Sequence, residues 1–348
     1  MNHRVIYLLG PEQLELREEP VPDPGEGEIL VRIRAAITCG TDVKVFRRGG
    51  HPRMLRVPTA FGHELAGEVA ESGPGDTGFQ PGDRVAVVNS APCGRCAYCD
   101  GGRENLCRDL RYINGAFAEY ILIPRRFVEV STHRLDADIP YELAALVEPL
   151  ACVVHGIDVC DLRSGSEVLI YGGGPMGLLL TSALAAEGHR VVVADPNPGR
   201  LEVARTLGAE DAVQVVRDGG EAERLRGLSA DGHGFDCAID ATGVPAVWED
   251  ALGCVRPGGV VNFFGGCPPG TRIALDTTDI HYNELVIKGT YHHRPNTVAR
   301  ALDMLSRGSL DPRPLLSAEA PLDGLEDALR SMMAKKALKV VIRPLPPQ

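Results

Sequence analysis

The sequence lacks a surplus of basic residues, an apolar leader and an unbroken membrane-length stretch. Its 36 Lys and Arg are outnumbered by 47 Asp and Glu, leaving a net charge of −11. Neutralising phosphates takes clustered Lys and Arg, so this balance argues against a general nucleic-acid binder. The acidic excess reads instead as solubility. Near the N-terminus the apolar run Val5-Ile6-Tyr7-Leu8-Leu9 is too short for a signal-peptide core. No charged residue occurs from Val168 to Ala186, which is about the length that spans a bilayer. Gly172-Gly173-Gly174-Pro175 breaks that stretch, so it reads as a buried strand, a turn and a helix rather than a span. With no export signal and no membrane segment, the cytoplasm is the expected location. There is no internal repeat and no low-complexity segment.

Ten cysteines are present. In a reducing compartment that number points to metal binding or catalysis rather than a disulfide framework. At 348 residues the chain is long enough for two domains with separate cores. Residues 1 to about 150 are rich in Gly, Pro and short β-type runs such as Ile29-Leu30-Val31-Arg32-Ile33 and Arg84-Val85-Ala86-Val87-Val88. Turn signals, among them Pro22-Asp23-Pro24-Gly25 and Pro81-Gly82-Asp83, separate them. This predicts a mostly β domain of the barrel kind. Near residue 165 the rhythm changes. Val168-Leu169-Ile170-Tyr171 and Val191-Val192-Val193-Ala194 read as buried parallel strands, with helices at Met176–Glu187 and Arg200–Gly208. Further strands are expected at 237–240, 260–264 and 285–288. The alternation indicates a doubly wound α/β domain. Beyond about residue 290 the pattern leaves that rhythm, with a helix over 297–307 and a terminal strand at Lys339-Val340-Val341-Ile342.

Three groups of residues carry chemistry. Cys93, Cys96, Cys99 and Cys107 form C-x2-C-x2-C-x7-C, so four nearby thiolates can converge on one tetrahedral zinc. Such a site has no open position, so its role is structural. Gly172-Gly173-Gly174-Pro175-Met176-Gly177 fits G-x-G-x-x-G directly after a strand and at the opening of a helix. Its glycines let the backbone approach a pyrophosphate, and the helix N-terminus favours the negative charge. Asp195 closes the next strand at the expected separation. A carboxylate there accepts hydrogen bonds from both ribose hydroxyls and repels a 2′-phosphate, which favours NAD over NADP; Arg200 leaves a positive charge nearby. The third group is dispersed: Cys39 in Cys39-Gly40-Thr41-Asp42, His63-Glu64, and Glu148. Thiolate, imidazole and carboxylate can together hold a catalytic zinc with one position open. Zinc then acts as a Lewis acid that stabilises an alkoxide before hydride leaves carbon. Spacing alone does not gather these residues.

Taken together, these residues resemble the medium-chain, zinc-containing alcohol dehydrogenase family over essentially the whole chain. Within it the chain is most similar to the sorbitol (polyol) and threonine dehydrogenase branch, where the third protein position at the catalytic zinc is a Glu like Glu148. The resemblance implies an α/β protein with two domains. One is a GroES-like β-barrel catalytic domain at 1–150 and 290–348, carrying a structural zinc lobe at about 89–110. The other is a Rossmann NAD-binding domain at 151–289 with a doubly wound parallel sheet. It also implies two zinc ions per chain. Cys39 and His63 become ligands of the catalytic one, with Glu64 and Glu148 as carboxylates that bind it directly or through water. Asp42 becomes the residue that orients His63. Gly172, Gly174, Met176, Gly177, Asp195 and Arg200 match NAD-contacting positions. Thr41 matches the hydroxyl that begins the proton relay.

Two departures stand out. Where most relatives continue the relay with a His, this chain has Lys44, which could serve only with a lowered pKa. The relay can instead end in water. Sorbitol dehydrogenases hold the polyol with an Arg-Tyr pair after the Lys-Gly of the last Rossmann strand; here Tyr291-His292-His293 stands in that region. Two imidazoles can still hydrogen-bond hydroxyls or simply cap a loop. The expected activity is hydride transfer from a polar secondary alcohol (polyol, sugar alcohol or cyclitol) to NAD. L-threonine 3-dehydrogenase is the alternative enzyme, and a catalytically silent structural or binding protein on the same fold is the alternative outside enzymes. The resemblance also implies a homo-oligomer, a tetramer or else a dimer.

Overall fold

The structure, a computed structural model, describes residues 1–51, 53–216 and 220–345. The chain divides into two compact units. One comprises Met1–Ala151, Arg294–Gly308 and the residues from Leu316 on; the other comprises Cys152–His293 and Ser309–Leu315.

The first unit is built on the strand Ile29–Ile37, which is rich in β-branched residues and largely buried on both faces. It pairs antiparallel with Glu64–Ser72, with Tyr120–Ile123 and with the C-terminal strand Lys339–Arg343. Arg84–Val87 continues the sheet beyond Glu64–Ser72. One core gathers Val31, Ile33, Leu65, Val85, Val87, Val340 and Ile342 with Phe46, Phe61 and Phe117. Phe61 and Phe117 meet edge to face, with ring centroids 5.6 Å apart. Each fully buried Phe side chain contributes about 1.5–3 kcal/mol. Between them in sequence and space, Gly62 has φ +91°, and a Cβ there would fall 2.6 Å from the Phe117 ring. Only glycine satisfies both demands, so this packing fixes where the next residue, His63, leaves the core.

In the second unit six parallel strands lie in the order Asp211–Gln214, Arg190–Asp195, Glu167–Tyr171, Phe235–Asp240, Val255–Phe263, Val286–Gly289. The first strand in sequence is central and the order reverses beside it, which is the doubly wound arrangement. Val168, Leu169, Ile170 and Val191, Val192, Val193 are fully buried, as strands covered on both faces must be. The helix expected at 200–208 begins earlier, spanning Pro198–Thr206. Asn197 caps it by accepting from the Gly199 and Arg200 amides, and Pro198 suits its first turn. Similarly, the helix expected over 297–307 is Pro295–Ser306. No helix among the described residues is long and apolar enough to cross a membrane.

Candidate active site

Strand pairing gathers dispersed candidate metal-binding residues. Ile37 pairs with Glu64, so Cys39 and His63 leave neighbouring strand ends. Cys39 then serves as N-cap of the helix Gly40–Arg48. Its sulfur accepts the Thr41 amide at 3.4 Å, and Asp42 Oδ2 accepts the Cys39 amide at 2.8 Å. The other oxygen of the buried Asp42 lies 3.0 Å from His63 Nδ1. That contact fixes the ring and commits Nε2 to the side of Cys39. The ligand atoms of Cys39, His63 and Glu64 all lie within 4.8 Å of one another. Ligand atoms around a tetrahedral zinc are about 3–4 Å apart, so the donor set and its spacing fit the ion. Burial alone would pull the His63 pKa down, but the Asp42 carboxylate and the Cys39 sulfur outweigh it and hold it well above the ordinary histidine value. A divalent cation at Nε2 would take the place of that proton.

The two carboxylates differ. Glu64, fully buried, gives both oxygens to Lys339 Nζ at 2.8 and 2.6 Å. Burial pushes its carboxyl upward and the ammonium pulls against that; two contacts of this length are the geometry of an ion pair. Glu148, in the first turn of the helix Val147–Cys160, lies outside the 4.8 Å group. It still feels the charges around it. Burial pushes its carboxyl up to about 7, His63 opposes this, and Glu64 adds to it. Thr41 is half-buried beside Cys39, whereas Lys44 is exposed on the same helix and hydrogen-bonds none of the ligand residues. His292 and His293 belong to the second unit. His292 has φ +61°, its carbonyl accepts from His155 Nδ1 at 2.6 Å, and its ring lies 4.1 Å from that of His293.

The ligand atoms of Cys93, Cys96, Cys99 and Cys107 also lie within 4.8 Å of one another, with sulfur–sulfur distances of 3.6 Å for Cys96–Cys99 and 3.9 Å for Cys96–Cys107. Sulfurs on one tetrahedral zinc are about 3.8 Å apart, so this group fits as well. The Arg108 and Cys99 backbone amides lower the Cys96 thiol to about 6, whereas burial and neighbouring thiols raise Cys99 to about 12.

The glycine turn joins the strand Glu167–Tyr171 to the N-terminus of the helix Pro175–Ala186. Gly174 caps the helix Pro175–Ala186, and Met176 follows in its first turn. A Cβ at Gly177 would fall 1.8 Å from the Gly172 carbonyl oxygen, so strand and helix approach too closely for any other residue. Asp195 accepts the Gly173 amide at 2.7 Å through one oxygen and the Asn197 amide at 2.7 Å through the other; Arg200 Nη1 is 3.9 Å away. The carboxylate is thus fixed at the end of its strand, against the turn.

Lys339 is the residue that sequence reading missed. In Lys339-Val340-Val341-Ile342 it looks like the solvated start of an apolar strand. Its only signal is a lysine in a strand that must be buried to pair with Ile29–Ile37.

Residues 25–132 match the Alcohol dehydrogenase GroES-like domain, and residues 175–307 match Zinc-binding dehydrogenase. The chain is 32% identical to sorbitol dehydrogenase from Bacillus subtilis (strain 168), over 99% of this chain and 98% of that one. It is 33% identical to L-threonine 3-dehydrogenase from Idiomarina loihiensis, over 92% and 93% of the two chains. A Sinorhizobium meliloti 1021 structure bound to NADP superposes with a TM-score of 0.90 at 30% identity, covering 99% of this chain and 100% of that one. The chain belongs to the zinc-dependent alcohol dehydrogenase family, an oxidoreductase with a GroES-like domain and a Rossmann-type nucleotide-binding domain.

Proposed function

We propose that this enzyme oxidises a polar secondary alcohol of the polyol, sugar-alcohol or cyclitol class with NAD, using one catalytic and one structural zinc. The observation that carries this reading is the Cys39–Asp42–His63 arrangement, in which one buried carboxylate holds both ligand-bearing residues. Cys39 and His63 would hold the catalytic ion, with Glu64 or Glu148 as carboxylate. Cys93, Cys96, Cys99 and Cys107 would hold the structural one. Zinc at the first site supplies Lewis-acid polarisation of the carbinol oxygen. Thr41 would accept the substrate proton through its hydroxyl and pass it outward to water, because Lys44 lies exposed on the same helix as an ammonium with no acceptor to offer. Gly172, Gly174, Met176 and Gly177 cradle the pyrophosphate, and Asp195 accepts the adenosine ribose hydroxyls, with Arg200 beside it. His292 and His293 supply imidazoles for substrate hydroxyls.

NAD is favoured over NADP because the Asp195 carboxylate, fixed by two amides, would repel a 2′-phosphate. Assembly into a homo-oligomer, a tetramer or a dimer, is supported by the outer strand Val286–Gly289. It ends its sheet with Val286 exposed, and Tyr282 and Leu275 are exposed nearby in sequence. None of the ten cysteines forms a disulfide, which suits the cytoplasm.

A second reading, L-threonine 3-dehydrogenase, is favoured by the relatives of that name. Steady-state kinetics with NAD and a panel of polyols, cyclitols and L-threonine separates the two. The first reading expects kcat/KM for at least one polyol or cyclitol to exceed that for threonine; threonine equal to or better than every polyol would reverse the order.

A further inference from the structure

We propose that the alcohol oxidised by this enzyme carries an anionic group, a carboxylate or a phosphate, which the basic residues Lys44, Arg48 and Arg53 hold. This deepens the alcohol dehydrogenase reading above and rests on it.

The chain has a net charge of −11, yet residues 43–63 hold Lys44, Arg47, Arg48, Arg53 and Arg56 and no Asp or Glu. All five are exposed. Lys44, Arg47, Arg48 and Arg56 form no ion pair among the described residues. Two acidic groups on flanking elements, Glu12 and Glu326, are both taken by Arg330. Arg47 and Arg48, in the last turn of the helix Gly40–Arg48, complement its macrodipole. That role does not account for Lys44, a turn earlier, or for Arg53 and Arg56 beyond the helix.

The fold brings these cations to the candidate metal site. Helical spacing puts Thr41, Lys44 and Arg48 on one face, away from the buried Val45 and Phe46. Lys44 lies about 4–5 Å and Arg48 about 10 Å further along the axis than Thr41. Beyond the helix, the His51 amide donates to the Leu55 carbonyl at 3.1 Å, and His51 Nδ1 accepts the Arg53 and Met54 amides at 3.2 and 3.0 Å. Burial lowers the His51 pKa, and the positive charges of Arg53, His63, Arg48 and Lys44 lower it further. Those four groups therefore stand within electrostatic reach of one imidazole. Asn114 Nδ2 donates to the Met54 carbonyl at 3.0 Å, and the next residue, Gly115, donates its amide to the Gly62 carbonyl at 2.9 Å, beside His63. One short segment thus ties the basic loop to a candidate metal-binding histidine. An ammonium cannot take up a proton, but it attracts an anion, and an arginine fork grips a carboxylate or phosphate with two N–H groups. With Thr41 beside the carbinol oxygen, an anion at Lys44 or Arg48 lies several carbons from the reacting carbon. That span suits a hydroxy acid or a phosphorylated sugar alcohol.

The test is steady-state kinetics of the full-length zinc enzyme with NAD on matched six-carbon series: neutral hexitols, hexonates and hexitol phosphates. The parent is expected to favour one anionic series over the hexitols by roughly tenfold in kcat/KM, and the better series identifies the anion. Raising ionic strength from about 0.02 to about 0.5 M should erode that preference. R48E/R53E should lower the anionic-to-neutral ratio by about tenfold, the scale of two exposed ion pairs, while R48K/R53K keeps most of it. Damage to the fold alone would lower both series together and leave the ratio unchanged, which overturns the proposal. If R48E/R53E does not fold, R48Q is read by the same ratio. A parent that oxidises hexitols as well as the anionic series also overturns it. So does a raised KM for NAD in R48E/R53E with an unchanged substrate ratio, which would assign the cations to the cofactor. If no member of the three series is oxidised, the polyol reading is what fails, and calorimetric titration of the NAD-loaded enzyme with hexonate and hexitol phosphate decides this one. Binding that R48E/R53E loses supports it, and no binding of either overturns it.

Discussion

Asp42 Oδ1 lies 3.0 Å from His63 Nδ1, while Asp42 Oδ2 accepts the Cys39 amide at 2.8 Å, so a single buried carboxylate orients both residues proposed to hold the catalytic zinc. Replacing it with asparagine keeps the shape but removes the charge that fixes the imidazole tautomer. D42N is expected to weaken catalytic zinc binding by roughly 10–100-fold, the usual cost of losing a group behind a metal-bound histidine. Competition against a chromogenic chelator measures this. Parental affinity in D42N would show that Asp42 serves the helix cap only.

The four-cysteine lobe is expected to act on stability. C96A should reduce zinc from two to one per chain. A loss of about 2 kcal/mol, within the ordinary range for a damaging substitution, lowers the melting midpoint by roughly 4–8 °C in a domain of this size. Elemental analysis and calorimetry check both. A C96A protein that keeps two zinc ions and the parental midpoint contradicts the assignment.

Asp195 is expected to set cofactor choice. Hydrogen bonds to a charged group are worth about 1.5–3 kcal/mol, so D195A should raise KM for NAD by roughly tenfold or more. The KM for NADP should change less, because the carboxylate no longer repels a phosphate. Initial rates with both cofactors give the ratio. Equal effects would remove Asp195 from cofactor discrimination.

His133 provides a pH test outside the active site. Burial lowers its pKa below the ordinary 6.5, and its Nε2 is buried without a hydrogen-bond partner. Below that ordinary value the unfolded chain takes up a proton that the folded protein resists. The stability from the neutral ring is therefore present above about 6.5 and is lost as pH falls toward the folded value. H133Q removes this titration, so its stability should decline less than the parent's on going from neutral to mildly acidic pH. Urea unfolding on either side of pH 6.5 measures it; equal declines would mean His133 does not contribute.

How much of this was legible beforehand depended on distance along the chain. The lobe at Cys93–Cys107 and the turn at Gly172–Gly177 could be read locally, because their chemistry needs residues at fixed short spacing. The parallel strands were legible for the same reason: Val168–Tyr171 and Val191–Ala194 are uniform apolar runs bounded by turn residues. Cys39 and His63 are joined only by the pairing of Ile37 with Glu64, a register that no local pattern specifies. Only family resemblance could connect them. Lys339 was hidden still further. Its partners Thr38 and Glu64 lie about 300 residues away in sequence, and a lysine at a strand start ordinarily faces solvent.

The central claim, that a zinc ion at Cys39 and His63 activates a polar alcohol for hydride transfer to NAD, is tested most directly by chelation. NAD reduction is followed with the best polyol substrate before chelator, after it, and after zinc is restored. The account predicts that reduction stops as the catalytic zinc leaves and returns when zinc is added. Reduction that continues at its full rate after zinc has been removed would contradict it.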